Sequence, residues 1–241
     1  RHSYKLSRFG MDWLTWLQIK HAVGHWTLTI DADELLIYPD FDNAPLPKLT
    51  AWMDTQKIPA LGVTMLDLYP KGPLGAQEYQ AGQDPLDVVS WFDADGYRSQ
   101  IQPKLQSLWI QGGPRDRMFF SSQPERAPTL NKIPLVKWQR GYAYVTSTHQ
   151  LLPRRLNHVF SQHGGNPMTG VLLHTKFLPS IVQKSGEEKH RAEHFANSDL
   201  YDQYYDALVE NPTLWTRTSV RYTSWRDVEA AGLMQKGNWS P

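Results

Sequence analysis

The chain has 241 residues, enough for one sizeable domain whose core needs no covalent staples. Lys and Arg number 25 against 24 Asp and Glu, a formal charge of +1, which excludes a general polyanion binder and argues against nucleic acid as a partner. There is no cysteine, which removes disulfides, thiolate zinc sites, iron–sulfur clusters and cysteine nucleophiles together.

In chain order, Gly10 to Val23 reads as a helix, with Trp13, Leu14, Leu17 and Lys20 or His21 at helical spacing and Gly24 at the stop. Trp26, Leu28 and Ile30 then alternate with Thr27 and Thr29 as a strand that runs straight into Asp31, Ala32, Asp33 and Glu34. Asn43 is placed to cap a helix carrying Leu46, Leu49, Trp52 and Met53, and Leu61, Val63 and Met65 alternate toward Tyr69 as a second strand. Pro70 to Pro85 holds Gly72, Pro73, Gly75 and Gly82 and predicts a long loop, a candidate flap. Leu108 to Ile110 lead to the turn Gly112, Gly113, Pro114, and Tyr142 to Ser147 alternate as a strand closed by His149. Val171 to Phe177 predicts a strand carrying His174; Ser198 is placed to cap a helix with Tyr201, Tyr204, Tyr205 and Leu208 on one face, and Ser224 with Asp227 forms a second helix start. Without repeats or a clear linker, one α/β or α+β domain over 1–241 is expected. No apolar run is long enough to span a bilayer and no signal-peptide core follows Arg1. A soluble protein of a reducing, cytoplasmic compartment is therefore expected. The chain starts at Arg1 and its patterning begins almost at once, so a fragment lacking an N-terminal part is expected as well.

Acidic residues at the C-terminal end of a strand sit where open α/β sheets bind ligands. On a regular strand Asp31 and Asp33 share a face, and a hard cation such as Mg²⁺ or Mn²⁺ is a natural way to hold two carboxylates close. Asp93, Ala94, Asp95, Gly96 repeats the spacing but ends in Asp-Gly, which predicts a surface turn. His149 and His174 each stand at a strand end and can offer a neutral imidazole to the cation, a hydrogen-bonded structural histidine being the competing reading for each. His190 and His194, four apart among charged neighbours, read as a solvated helix face. The turn Gly112 to Arg117 offers Arg115 and Arg117 to a phosphate and Asp116 as a proton acceptor, or else a surface pair between them. Trp13, Trp16 and Trp52 are expected in the core, with Trp91, Trp109 and Trp138 as candidates for substrate contact.

The block Ala22, Val23, Gly24, His25, Trp26 to Ile30, then Asp31, Ala32, Asp33, Glu34 resembles family 2 glycosyltransferases, in which a helix ending in Ala-x-Gly is followed by a short strand and an Asp-x-Asp element. Glu34 and Leu35 resemble its Asp-x-Asp-Glu-Phe branch of bacterial polysaccharide synthesis. Ser7, Arg8, Phe9, Gly10 and Trp13 resemble the lead-in to that helix, and Leu130 to Trp138 with Ser147, Thr148, His149 resemble a later part of the same branch. The strong match covers roughly the first sixth of the chain. The resemblance implies a GT-A type fold, a Rossmann-like mixed sheet flanked by helices with its first nucleotide-binding strands missing here. It implies a nucleotide-sugar donor, a saccharide or lipid-linked acceptor, inversion at the anomeric carbon, a divalent metal (Mn²⁺ or Mg²⁺) and peripheral contact with a membrane as an option. Carried over residue by residue, Asp31 would lie near the nucleotide's ribose, Asp33 with His149, or failing that His174, would bind the metal, and Asp116 would be the base; Arg8 and Glu34 of the matching segments, and Arg115 through its guanidinium on the turn, are expected to contact the nucleotide sugar. Two rivals differ in class: a phosphatase with an aspartyl nucleophile, against which Glu34 argues, and a carbohydrate-binding or degenerate transferase-like module.

Overall fold

The computed structural model describes residues 3–4, 6–145, 147–165, 167–182 and 199–241. His190, His194 and Ser198 therefore lie outside the described residues. Helix α1 (Met11–His21) ends as its sequence predicts, with Gly24 at φ 86°. Its packing differs from expectation: Trp16 is 56% and Ile19 63% exposed, Trp13 and Leu17 are exposed as well, and Gln18 is its one buried residue. The apolar residues of α1 are spread around the helix and form no single stripe to bury.

Strand β1 (Trp26–Leu28) and strand β2 (Glu34–Ile37) are joined through a tight turn, the Glu34 N–H bonding the Asp31 carbonyl at 3.1 Å. Asp31 and Asp33 thus sit on a turn and not on a regular strand. Helix α2 (Leu46–Thr55) starts at Pro45, without the side-chain cap expected from Asn43, and buries Leu49 and Met53. Strand β3 (Ala60–Asp67) is buried along its whole length. The segment expected as a flap is tied down: Leu74 is fully buried and its N–H bonds the Pro212 carbonyl at 3.1 Å, while Asn211 Oδ1 accepts from the Gly75 N–H at 2.5 Å.

Strands β4 (Trp91–Asp93), β5 (Arg98–Ile101) and β6 (Leu108–Gln111) precede helix α3 (Gly113–Phe119), which replaces the expected turn. Gly112 caps it at φ 144°, and a Cβ there would lie 2.6 Å from the Gly96 carbonyl, so only glycine lets the chain enter this helix. Strand β7 (Asn131–Lys137) follows; the stretch expected as a strand up to His149 shortens to β8 (Ala143–Tyr144) and a 3₁₀ turn over Ser147–His149. Strands β9 (Leu151–Leu152) and β10 (Gly170–His174), helix α4 (Asp199–Val209), strand β11 (Ser219–Arg221) and helix α5 (Trp225–Ala230) complete the order, α5 opening on the Ser224–Asp227 capping box.

The chain is mixed α/β. Five strands form a curled sheet in the order β1-β7-β3-β10-β2, in which β3 and β10 are the parallel neighbours. Leu61, Val63 and Met65 of β3 pack with α2 residues on one face, and Leu66 packs with Trp225 and Val228 of α5 on the other. The alternation of strand side chains puts apolar groups on both faces because both are covered. The edge strands β1 and β2 face one another across a cavity of about 760 Å³ lined by Leu28, Ile30, Leu35 and Leu36. Among the described residues no helix is long and apolar enough to cross a membrane.

Candidate functional site

Strands β1, β3 and β10 run one way and β2 and β7 the other, so one edge of the sheet collects the C-terminal ends of the first three and the N-terminal ends of the other two. That edge carries the turn Asp31–Glu34, Asp67 at the end of β3, His174 at the end of β10, and Asn131 and Lys132 at the start of β7. Register fixes the neighbours: Glu34 lies opposite His174, and His174 opposite Asp67.

Lys132 reaches the turn from β7. Its ammonium donates to Asp31 Oδ2 at 3.0 Å and to Glu34 Oε1, while Glu34 Oε2 accepts from the Asp31 N–H at 3.0 Å. Glu34 and Lys132 are buried, whereas the Asp31 carboxylate is 72% exposed. On the other side of the turn, His174 Nε2 stands 3.2 Å from Asp33 Oδ2 and its Nδ1 2.6 Å from Asp67 Oδ1. Arg115 of α3 closes the chain, Nε donating to Asp67 Oδ2 at 2.7 Å. The Asp33 carbonyl accepts from the backbone N–H and the hydroxyl of Thr175, at 2.8 and 3.1 Å. The two aspartates thus take different protein partners, and their crowding requires no ion to hold the turn together.

The hydrogen bond with His174 outweighs desolvation and holds Asp33 down at about 2. Burial opposes charge on His174, yet its bonds to Asp33 and Asp67 prevail and raise it above the ordinary histidine value. Burial would likewise raise Asp67, but Arg115 and His174 keep its carboxyl well below the usual range. His149 lies beside this group on the 3₁₀ turn. Its Nδ1 donates to the Asn131 carbonyl at 2.6 Å, which leaves Nε2 as the acceptor of the neutral ring. Burial pushes it down to about 4.

Six of the eight side chains singled out from the sequence gather here: Asp31, Asp33, Glu34, Arg115, His149 and His174. Two do not. Arg8 pairs with Asp12 at 2.7 Å just before α1 and is largely exposed. Asp116 turns from the group into a bidentate pair with Arg98, at 2.7 and 2.9 Å. Neither touches the group among the described residues. Asp93, expected on a surface turn, is buried; it accepts from Arg117 at 3.0 and 3.1 Å and from the Tyr69 hydroxyl, which makes it a structural anchor. Trp138, a candidate for substrate contact, is buried in the core, and Trp91 packs edge-on against Trp215.

Sequence reasoning missed Asp67 and Lys132. Asp67 ends an apolar strand as Asp31 does, and Lys132 interrupts the apolar run Leu130 to Trp138, where a charge facing inward needs a partner. Both signals were present. Comparison with known proteins found no family model, no curated protein and no solved structure that matches this chain.

Proposed function

We propose that this chain is the metal-dependent glycosyltransferase, of GT-A type, that its Ala-x-Gly, strand and Asp-x-Asp block resembles, moving a sugar from a nucleotide-sugar donor to a saccharide or lipid-linked acceptor. One observation carries the reading: the half-exposed Asp33 carboxylate stands 3.2 Å from His174 Nε2, and Asp67 grips the far nitrogen of that ring at 2.6 Å. A carboxylate and an imidazole oriented by a second carboxylate form the ligand and backing pattern of a metal position. Among the described residues no set of three such side chains could hold an ion alone. Two protein ligands suit Mg²⁺ or Mn²⁺, which keep several positions for water and substrate phosphates. Such an ion, when bound, neutralises charge on a departing nucleoside diphosphate. Asp67 fixes the ring of His174, and Thr175 fixes the backbone of Asp33, so both groups are held in place, and an ion would take the position of the proton that His174 Nε2 shares with Asp33. Asp31, exposed on the same turn and steadied by Lys132, is the acid placed to meet the donor's ribose hydroxyls.

The test is hydrolysis or transfer of a panel of sugar nucleotides with and without Mn²⁺. Asp33→Ala is expected to lower turnover by at least a hundredfold, in the range that removal of one electrostatic contact to the transition state produces. Equal turnover by parent and Asp33→Ala would overturn the reading, and metal-independent sugar binding without turnover would favour the carbohydrate-binding module.

A further inference from the structure

Helix α1 turns one side to the core and the other to water, and both sides carry apolar residues. Met11 and Leu14 pack against the core, and Gln18 on the same side is buried, its amide donating to Thr29 Oγ1 at 3.3 Å. Trp13, Trp16, Leu17 and Lys20 recur at the i, i+3, i+4, i+7 spacing of the opposite side, and all four are exposed. Ile19, Val23 and, ahead of the helix, Tyr4 and Leu6 are exposed as well. Single exposed apolar residues need no explanation, but so dense a set on one surface marks a contact. The rings are steadied from within the patch: Trp13 lies 6.3 Å from Tyr4, and Trp16 takes the Lys20 ammonium over its face at 4.6 Å and the His21 ring edge-on at 6.2 Å.

Charge says what this surface meets. Lys20 and Arg140 line one cavity of about 540 Å³ at the C-terminal end of α1, beside Ile19, Val23 and Tyr142, and no acidic side chain lines it with them. The one carboxylate of α1, Asp12, is held by Arg8 at 2.7 Å. A second copy would set the surface against its like, with two exposed cations on each side and no carboxylate left to answer them. A bilayer with anionic lipids answers every part. Tryptophan rings favour the headgroup boundary, aliphatic side chains reach past it, and Lys and Arg stand among the phosphates. We propose that the outer side of α1 is a docking surface for an anionic lipid bilayer, Trp13, Trp16 and Leu17 entering the boundary while the cavity between Lys20 and Arg140 receives a lipid phosphate. The whole chain carries a formal charge of only +1, so the attraction is local to this end of the molecule. Such docking is independent of the transferase reading.

Co-sedimentation of the full chain with vesicles tests this, comparing pure phosphatidylcholine with equal parts of phosphatidylcholine and phosphatidylglycerol. The parent is expected to bind the mixed vesicles and stay largely in solution with the neutral ones, its tryptophan emission shifting to the blue on binding. Trp13→Ser with Trp16→Ser is expected to weaken binding by at least tenfold. Lys20→Gln with Arg140→Gln is expected to weaken it roughly thirtyfold, the worth of two basic residues near an anionic surface, and to flatten its dependence on salt. All four residues are exposed, so both double variants are expected to keep urea midpoints close to the parent's, which separates lost contact from lost fold. A parent that ignores mixed vesicles, or binding unchanged in Trp13→Ser with Trp16→Ser, would overturn the proposal. So would a dimer in sedimentation velocity that Trp16→Ser dissociates, since the surface would then belong to a second copy. None of these outcomes touches Asp33, and the transferase reading would stand or fall on its own test.

Discussion

Lys132 decides how the acidic turn is held. A buried ammonium between Glu34 and Asp31 replaces the bridging cation that two adjacent aspartates suggested, and its removal leaves Glu34 charged and enclosed. Breaking a buried pair from one side costs roughly 3 to 5 kcal/mol, while replacing both partners by apolar groups is far cheaper. Lys132→Met is therefore expected to lose about that much stability in urea denaturation, and Glu34→Leu added to it to restore most of the loss. His149 makes a second prediction, with a definite sign. Its folded-state pKa is depressed to about 4 from 6.5, so the folded chain keeps the ring neutral where the unfolded chain protonates it. The stabilisation is complete above pH 6.5 and is lost as the pH falls toward 4, on the order of 2 to 3 kcal/mol. His149→Gln removes this dependence. The stability of the parent relative to His149→Gln is accordingly expected to fall between pH 7 and pH 4.5, and a flat difference would contradict the burial of a neutral ring.

The elements that sequence patterns made visible are those whose burial is local in origin. The alternating stretch of β3, the run of β10 and the capping box of α5 occur near their expected positions, whereas β7 forms where no strand was expected. Where long-range packing chooses, the pattern misleads. Gly112 and Gly113 look like a turn because two glycines and a proline mark one, but Tyr97 and Gly96 approach so closely that glycine is needed to open α3 and bring Arg115 to Asp67. His174 and Asp67 become neighbours through strand register, which no spacing of 107 residues announces. Helix α1 was legible as a helix and illegible in its packing, since apolar spacing says what a face is made of and not what covers it. Trp16 and Ile19 are more than half exposed, so Trp16→Ser with Ile19→Ser is expected to change stability by less than about 0.5 kcal/mol each. Trp138→Ala, in the core, is expected to cost about 3 to 5 kcal/mol. Urea midpoints of these variants separate the two environments.

At the scale of the molecule, sheet topology converts scattered charges into one site. Because β1, β3 and β10 end where β2 and β7 begin, four carboxylates and the cations that answer them share one edge, although the chain as a whole carries only one net charge. A site assembled from five strands exists only in the folded state, so any ion it binds stabilises the entire chain by mass action. At a hundredfold excess over its dissociation constant that stabilisation is about 2.7 kcal/mol, which for a chain of this size corresponds to a rise in Tm of roughly 5 to 10 °C. Mn²⁺ is expected to raise the melting temperature of the parent by this amount and EDTA to reverse it. Asp33→Asn is expected to abolish the rise, because the neutral amide takes away the charge that opposes the ion. Asp116→Asn, which among the described residues alters the pair with Arg98, is expected to keep it. A rise preserved in Asp33→Asn would place the ion elsewhere on the chain and remove the metal from the Asp33 and His174 edge.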